Sequence, residues 1–171
     1  LDTVVAFLDK GADVDRRTAS GRTALWLAAE RGSAPVVEVL LARGAKATNA
    51  DNDGWTPLMA ARTPEVAEVL LRHGAVVDAR TTAGTTALII AAERGSPEMV
   101  KLLLARGADA NAVNKNGWTP LMAAAYAGQA ASARALIEGG ARKDRKNNAG
   151  ETALDIARKE NSRTVVDVLL A

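Results

Sequence analysis

Several residue types that would define a fold or a chemistry are scarce in this chain of 171 residues. It contains no cysteine, which excludes disulfides and thiolate metal sites. Aromatic residues make up only 3% of the chain, so a core must be built from Ala, Leu, Val and Ile. No apolar run approaches a membrane span, which needs about 18 residues. The 22 basic and 20 acidic residues nearly balance, unlike the one-sided basic surface of a nucleic-acid binder.

The residue sets that catalysis requires are also missing. The only histidine is His73, whose position in the phrase LLRHGA suits the carbonyl groups at a helix end. No nucleophile-elbow phrase and no glycine-rich nucleotide loop occurs in the sequence. The run 51–53 lacks the residue order of a calcium loop and is interpreted as a turn. The sequence therefore predicts no enzyme, no metal and no cofactor.

What the sequence does contain is a repeat. The phrase G-x-T-[P/A]-L recurs at intervals of 33, 30, 33 and 33 residues, beginning at Gly21, Gly54, Gly84, Gly117 and Gly150. A second phrase, close to L-L-x-x-G-A, keeps step with it at 40–45, 70–75, 103–108 and 136–141. Self-similarity at a fixed period of this length is the signature of a repeat architecture.

Each repeat carries the signals of two helices. The Thr of the first phrase is a suitable N-cap, and Pro57 and Pro120 then occupy the first helical position, where no N–H is needed. A second helix is predicted to begin at Ser96-Pro97-Glu98 and its equivalents, with apolar V-x-x-L-L spacing. Its end is predicted at a glycine suited to a left-handed cap. These glycines are Gly44, Gly74, Gly107 and Gly140.

These phrases and their period resemble the ankyrin repeat family, over essentially the whole chain. The resemblance implies an all-α solenoid of stacked helix-turn-helix units with β-hairpin or loop fingers. It implies a single domain over 1–171, formed by a half repeat at 1–17 and five repeats. The repeats are expected at 18–50, 51–80, 81–113, 114–146 and 147–171. The irregularity of the repeats favours a natural protein, which we expect to be bacterial.

The sequence departs from the family pattern at both ends and within single repeats. Residues 1–17 match only a second helix, so we expect either that upstream residues were cut away or disordered or that a natural half-cap stands here. The polar final repeat resembles a terminal cap. The first residues carry no signal-peptide pattern. The default expectation is the cytoplasm, or the periplasm or the exterior if a signal segment was removed.

Two internal repeats are irregular. The repeat at Gly54 is three residues short, which predicts that about one turn is missing from its first helix. In the repeat at Gly117, the second helix places Ser132, Ala133 and Ala135 where larger apolar residues are expected. We therefore expect this helix to be locally weak. The basic run 142–146 is interpreted as a solvated finger, with an acidic docking patch on a partner as the alternative.

The resemblance also implies that a protein partner binds to the concave face, which the finger bases and the first helices form. The residues that the family pattern places there are Arg22, Trp26, Glu30, Arg31, Asp53, Trp55, Thr85, Glu93, Arg94, Asn116, Trp118 and Tyr126. Trp55 and Trp118 are two repeats apart, about 20 Å at 8–10 Å per helix layer. Each of these two residues has two alternative roles, packing on its own finger or contact with a partner.

The predicted function is therefore a non-enzymatic module, expected to be monomeric, that binds a folded protein partner. A narrower form is an inhibitor or immunity protein that blocks an enzyme. The alternative is a structural or anchoring scaffold, or a fragment of a longer repeat array. Neither nucleic acid nor a membrane is an expected partner.

Overall fold

The computed structural model of the chain describes residues 2–171, with the side chain of residue 4 excepted. These residues form eleven helices and no strand, so the expected all-α class is confirmed. The chain divides into two compact units, residues 1–81 (unit 1) and residues 82–171 (unit 2). None of the described helices is both long enough and apolar enough to cross a membrane.

Both units are built from helix pairs in two layers. The helices of unit 1 are α1 (Asp2–Asp9), α2 (Ala24–Glu30), α3 (Ala34–Ala42), α4 (Pro57–Ala60) and α5 (Pro64–Arg72). The helices of unit 2 are α6 (Ala87–Arg94), α7 (Pro97–Ala105), α8 (Pro120–Tyr126), α9 (Ala130–Glu138), α10 (Ala153–Lys159) and α11 (Arg163–Leu170). In unit 1, α2 packs on α4 and α3 packs on α5. In unit 2, α8 lies between α6 and α10, and α9 lies between α7 and α11.

The predicted caps are confirmed at the start of the first helix of each repeat and at the glycines that follow the second helices. The hydroxyl of Thr23 accepts the N–H of Trp26 at 3.2 Å, which satisfies one of the orphan donors of the first turn. The same bond forms in the other four repeats, at Thr56, Thr86, Thr119 and Thr152. The four predicted C-terminal glycines all have φ between 85° and 91°, a conformation that only glycine adopts at little cost.

The shortened repeat loses its residues where the sequence predicted. Helix α4 has four residues, whereas α2 has seven. The chain leaves α4 at Ala61 in an extended conformation, and the N–H of Arg62 donates to the carbonyl of Ala29 at 3.3 Å. The end of a first helix is therefore missing from this repeat, together with the side chains that it would carry.

The fingers are hydrogen-bonded turns that fix the residue at their base. The side chain of Asp51 accepts the N–H groups of Asp53, at 3.0 Å, and Trp55, at 2.9 Å. The N–H of Asp51 in turn donates to the carbonyl of Trp55 at 2.9 Å. Asn114 makes the same pair of bonds with Trp118, at 3.0 Å and 3.1 Å. The predicted turn at 51–53 is thus confirmed. Asp51 holds Trp55, and Asn114 holds Trp118, through both backbone groups of the Trp.

Neighbouring fingers are also tied to each other within each unit. In unit 2, the backbone N–H of Asn148 donates to the carbonyl of Asn116 at 3.1 Å, and its side-chain amide donates to Lys115 at 2.9 Å. A Cβ at Gly117, where φ is 74°, would lie 2.6 Å from the side-chain oxygen of Asn148. Only glycine therefore suits this position, which directly precedes Trp118.

Candidate functional site

In unit 2, five of the predicted contact residues line one open cleft. The cleft has a volume of about 230 Å³. Its walls come from the finger bases and from the facing sides of α6 and α8. The lining residues are Thr85, Ile89, Glu93, Asn114, Asn116, Trp118, Ala123 and Tyr126.

Two aromatic rings form one wall of this cleft. The rings of Trp118 and Tyr126 meet edge to face, with centroids 5.4 Å apart and planes inclined by 75°, which is a favoured geometry for such pairs. Trp118 is half-buried, and Tyr126 is 52% exposed. Tyr126 is the last residue of α8, and it meets Trp118 because the finger base holds that residue beside the helix.

An acidic side chain lies at the same cleft. Glu93 is exposed near the C-terminal end of α6. Its carboxylate makes no hydrogen bond or ion pair with any other residue that the structure describes. Arg94 is also exposed and ends the same helix, but it does not line the cleft. The cleft thus combines exposed aromatic surface with a carboxylate.

In unit 1, the corresponding region is filled by the chain itself. Trp26 is only 4% exposed, and its indole N–H donates to the carbonyl of Trp55 at 3.1 Å. The guanidinium carbon of Arg22 lies 4.0 Å from the centre of the Trp26 ring. Arg22 also pairs with the buried carboxylate of Asp51, at 3.7 Å. Trp26 therefore has little surface to offer a partner, and Arg22 covers it.

The remaining predicted contact residues of unit 1 do not gather in one cleft. Glu30 ends α2 and is half-buried, Arg31 follows it in an exposed position, and Asp53 is exposed at the finger tip. Trp55 is half-buried at the base of its finger. Because α4 is short, this finger has no counterpart of Tyr126 beside it.

Sequence reasoning missed four residues that shape these two regions. Ile89, Asn114 and Ala123 line the cleft of unit 2, and Asp51 pairs with Arg22 in unit 1. A signal for Ile89 was present, because it occupies the same repeat slot as Trp26. Asn114 and Asp51 likewise share the slot that opens a finger. From the sequence, Trp26 was assigned to the binding face but Ile89 was not, and the finger slot of Asp51 and Asn114 was assigned to the scaffold.

Other candidate residues bond within the chain. The ring Nδ1 of His73 lies 2.8 Å from the carbonyl of Val69, which confirms its place at a helix end. Within 142–146, Arg142 makes a two-bond pair with Asp144, at 3.1 Å and 2.9 Å. This hydrogen bond lowers the pKa of the Asp144 carboxyl. Lys143 donates to the carbonyl of Leu169 near the end of α11, at 3.1 Å. No group of three or more His, Cys, Asp or Glu among residues 2–171 could hold a metal ion.

Comparison with known proteins gives one family. The family model described as "Ankyrin repeats (3 copies)" matches residues 1–81, 62–114 and 88–171, which together span the chain. Chicken (Gallus gallus) inversin is 40% identical over 76 residues, which are 43% of this chain and 7% of that protein. Neurogenic locus notch homolog protein 1 of Xenopus tropicalis is 42% identical over 91 residues, 50% of this chain and 4% of that protein.

Human ankyrin repeat domain-containing protein 63 is 40% identical over 95 residues, 52% of this chain and 25% of that protein. In these three relatives the matched region is thus a quarter of the protein or less. All three come from vertebrates, and they lend no support to the bacterial source expected from the irregular repeats.

Proposed function

The chain belongs to the ankyrin-repeat family, and from this premise we propose that it is a non-enzymatic module that binds a folded protein partner. Ankyrin repeats are protein–protein interaction modules. The proposed binding face is formed by the finger bases and first helices of the repeats. In unit 2 it centres on the cleft between α6 and α8.

One observation carries this proposal, the pair of half-buried Trp118 and exposed Tyr126 at that cleft. Their rings pack against each other, so the pair is ordered before a partner arrives and loses little conformational freedom on binding. Trp and Tyr are the residues most enriched among interface hot spots, where truncation often costs about 2 kcal/mol or more. Large ordered aromatic surface at an open cleft therefore supports contact with a protein.

Affinity capture from an extract of the source cells tests the proposal. The variant Trp118→Ala/Tyr126→Ala is compared with wild type and with Val76→Ala, a control at an exposed apolar residue of unit 1 (56% exposed). We expect wild type and the control to retain a protein that the double variant loses. A double variant with an unchanged circular dichroism spectrum and full partner affinity would overturn the proposed face.

A narrower form of the proposal is that the partner is an enzyme which the chain inhibits, as an immunity protein does. An activity assay of the captured protein, with and without the chain, tests this form. A structural or anchoring scaffold instead predicts that several partners bind at once. Light scattering of the complex distinguishes the two, and we expect the free chain to be monomeric.

A further inference from the structure

The two units present the same repeat slots around Trp55 and Trp118, with different side chains in them. Each Trp follows the glycine that begins the repeat phrase G-x-T. One repeat earlier, the residue after the opening glycine is Arg22 in unit 1 and Thr85 in unit 2. The position of Trp26 in unit 1 corresponds to Ile89 in unit 2. A cation and a large ring are thus present in one unit and replaced by short side chains in the other.

Unit 1 shows which chemistry this set of slots can hold. The Arg22 guanidinium lies 4.0 Å from the centre of the Trp26 ring, well within the roughly 6 Å of a cation–π contact. The carboxylate of Asp51 lies 3.7 Å from its Nε. A guanidinium thus lies between an aromatic face and a carboxylate at these positions, as an ion pair in which its buried Nε makes no hydrogen bond.

In unit 2 the slots of Trp26 and Asp51 hold Ile89 and Asn114, and the aromatic and acidic groups at the cleft come from other positions. Its cleft is open because Thr85 and Ile89 are shorter than their counterparts. Trp118 and Tyr126 supply aromatic surface, and Glu93 supplies a carboxylate that has no partner among the described residues. A guanidinium has four heavy atoms and needs the space of two or three waters, at about 30 Å³ each. The cleft of about 230 Å³ accommodates it.

We propose that this cleft is a subsite for an arginine side chain of the protein partner, whose guanidinium lies against Trp118 and Tyr126 and pairs with Glu93. The inference rests on the proposed function, and it names the chemistry that the binding face selects. Arginine is favoured over lysine because its planar group stacks on aromatic rings and is less strongly hydrated than an ammonium group. In unit 1 the cation that lies over the Trp26 ring is likewise an arginine.

Nuclear magnetic resonance titration of the full chain tests the subsite directly. The probes are the N-acetyl N-methylamide of arginine and that of citrulline, which has nearly the same shape without the charge. The readout is the indole N–H signal of Trp118, assigned by its loss in Trp118→Phe. We expect the arginine probe to shift this signal with a dissociation constant of the order of 10 mM, and citrulline to bind at least about threefold more weakly. Equal shifts with both probes, or no saturation with arginine, would overturn the proposal.

Two exposed side chains can be changed without disturbing the core. We expect Glu93→Gln to weaken arginine binding about threefold, as for an exposed ion pair. We expect Tyr126→Ala to weaken it by about threefold or more, through loss of an aromatic wall. The matched control is Glu30→Gln, which changes the same repeat slot in unit 1 and should leave the Trp118 titration unchanged. An equal effect of Glu30→Gln and Glu93→Gln would contradict the assignment.

Selection of displayed random peptides on the full chain separates this proposal from the proposed function. If both hold, wild type enriches arginine-containing peptides, and Glu93→Gln loses that enrichment. If selected peptides lack arginine but still depend on Trp118, the binding face stands and the arginine subsite is wrong. If no selected peptide depends on Trp118 or Tyr126, both proposals fail.

Discussion

In unit 1 an arginine of the chain covers a buried tryptophan, whereas in unit 2 the same slots hold Thr85 and Ile89 and leave a cleft open. The two units also differ in helix length. Helix α8 extends to Tyr126, while α4 ends at Ala60 and has no residue at the equivalent place. The comparison teaches that a repeat slot is available for binding only where the scaffold does not use it. Unit 1 uses its aromatic and cationic groups for its own packing.

The largest effect should come from truncating the tryptophan that the scaffold uses. Trp26 is 4% exposed and bonded to the backbone of Trp55. We expect Trp26→Ala to lower the free energy of unfolding by about 3–5 kcal/mol, as for other buried aromatic residues. Tyr126→Ala should lower it by no more than about 1 kcal/mol, because Tyr126 is largely exposed. Urea denaturation followed by circular dichroism measures both.

This pair of variants tests whether Trp26 and Tyr126 have different roles in the two units. Equal losses of unfolding free energy in Trp26→Ala and Tyr126→Ala would mean that both aromatic residues serve the scaffold alike. Partner affinity is the second measurement, and in it Tyr126→Ala should have a larger effect than a Trp26 substitution. Tyr126→Ala should weaken the partner, and a Trp26 variant that remains folded should not.

The cleft of unit 2 can be converted to the closed arrangement of unit 1. We expect Thr85→Arg/Ile89→Trp/Asn114→Asp to place a cation over a ring and to fill the cleft, as Arg22, Trp26 and Asp51 do. Binding of the arginine probe should fall by about tenfold, since the aromatic and charged contacts are both lost. The Trp118 titration measures this. Unchanged binding in a folded variant would show that the cleft is not the subsite.

The sequence predicted those parts of the structure that local chemistry determines. The Thr N-caps, the left-handed glycines and the lost turn of α4 follow from residue type and spacing, and all are confirmed. The cleft was not foreseen because it depends on side-chain size across neighbouring repeats. From sequence alone, Trp26 and Trp118 were both assigned to the binding face. Only the packing separates them, since Arg22 and Trp55 enclose the first.

Unit 2 should itself be uneven in stability. In α7 the buried residues include Met99 and Val100, whereas α9 has Ser132 and Ala133 in the same repeat positions. Each missing methylene removes roughly 0.8 kcal/mol of burial free energy. We expect amide hydrogen exchange to be faster in 129–139 than in 97–106. Equal protection of the two segments would contradict this prediction.

The hydroxyl of Ser132 is a further reason to expect lower stability in α9. The hydroxyl of Ser132 is completely buried and has no hydrogen-bond partner among the described residues, and an unsatisfied buried group of this kind costs about 1–3 kcal/mol. We expect Ser132→Ala to raise the free energy of unfolding by about 1 kcal/mol, measured by urea denaturation. The control is Ser33→Ala in unit 1, because Ser33 makes no side-chain cap bond to α3 and its removal should change little. A loss of stability in Ser132→Ala would show that the hydroxyl is satisfied.

The smallest effect concerns pH and the last repeat. The hydroxyl of Thr152, then its N–H, lower the pKa of Asp155, and bonds from Asn147 and Lys159 lower the pKa of Glu151. A carboxyl whose pKa is lowered by folding stabilises the native state above its unfolded pKa, about 4, and loses this contribution as pH falls through the native value. We therefore expect exchange protection of 153–170 to fall below about pH 4 before that of unit 1. Asp155→Asn should make this loss less dependent on pH, because one of the two titrating groups is gone. An unchanged pH profile in that variant would mean that acid acts on the last repeat through other groups.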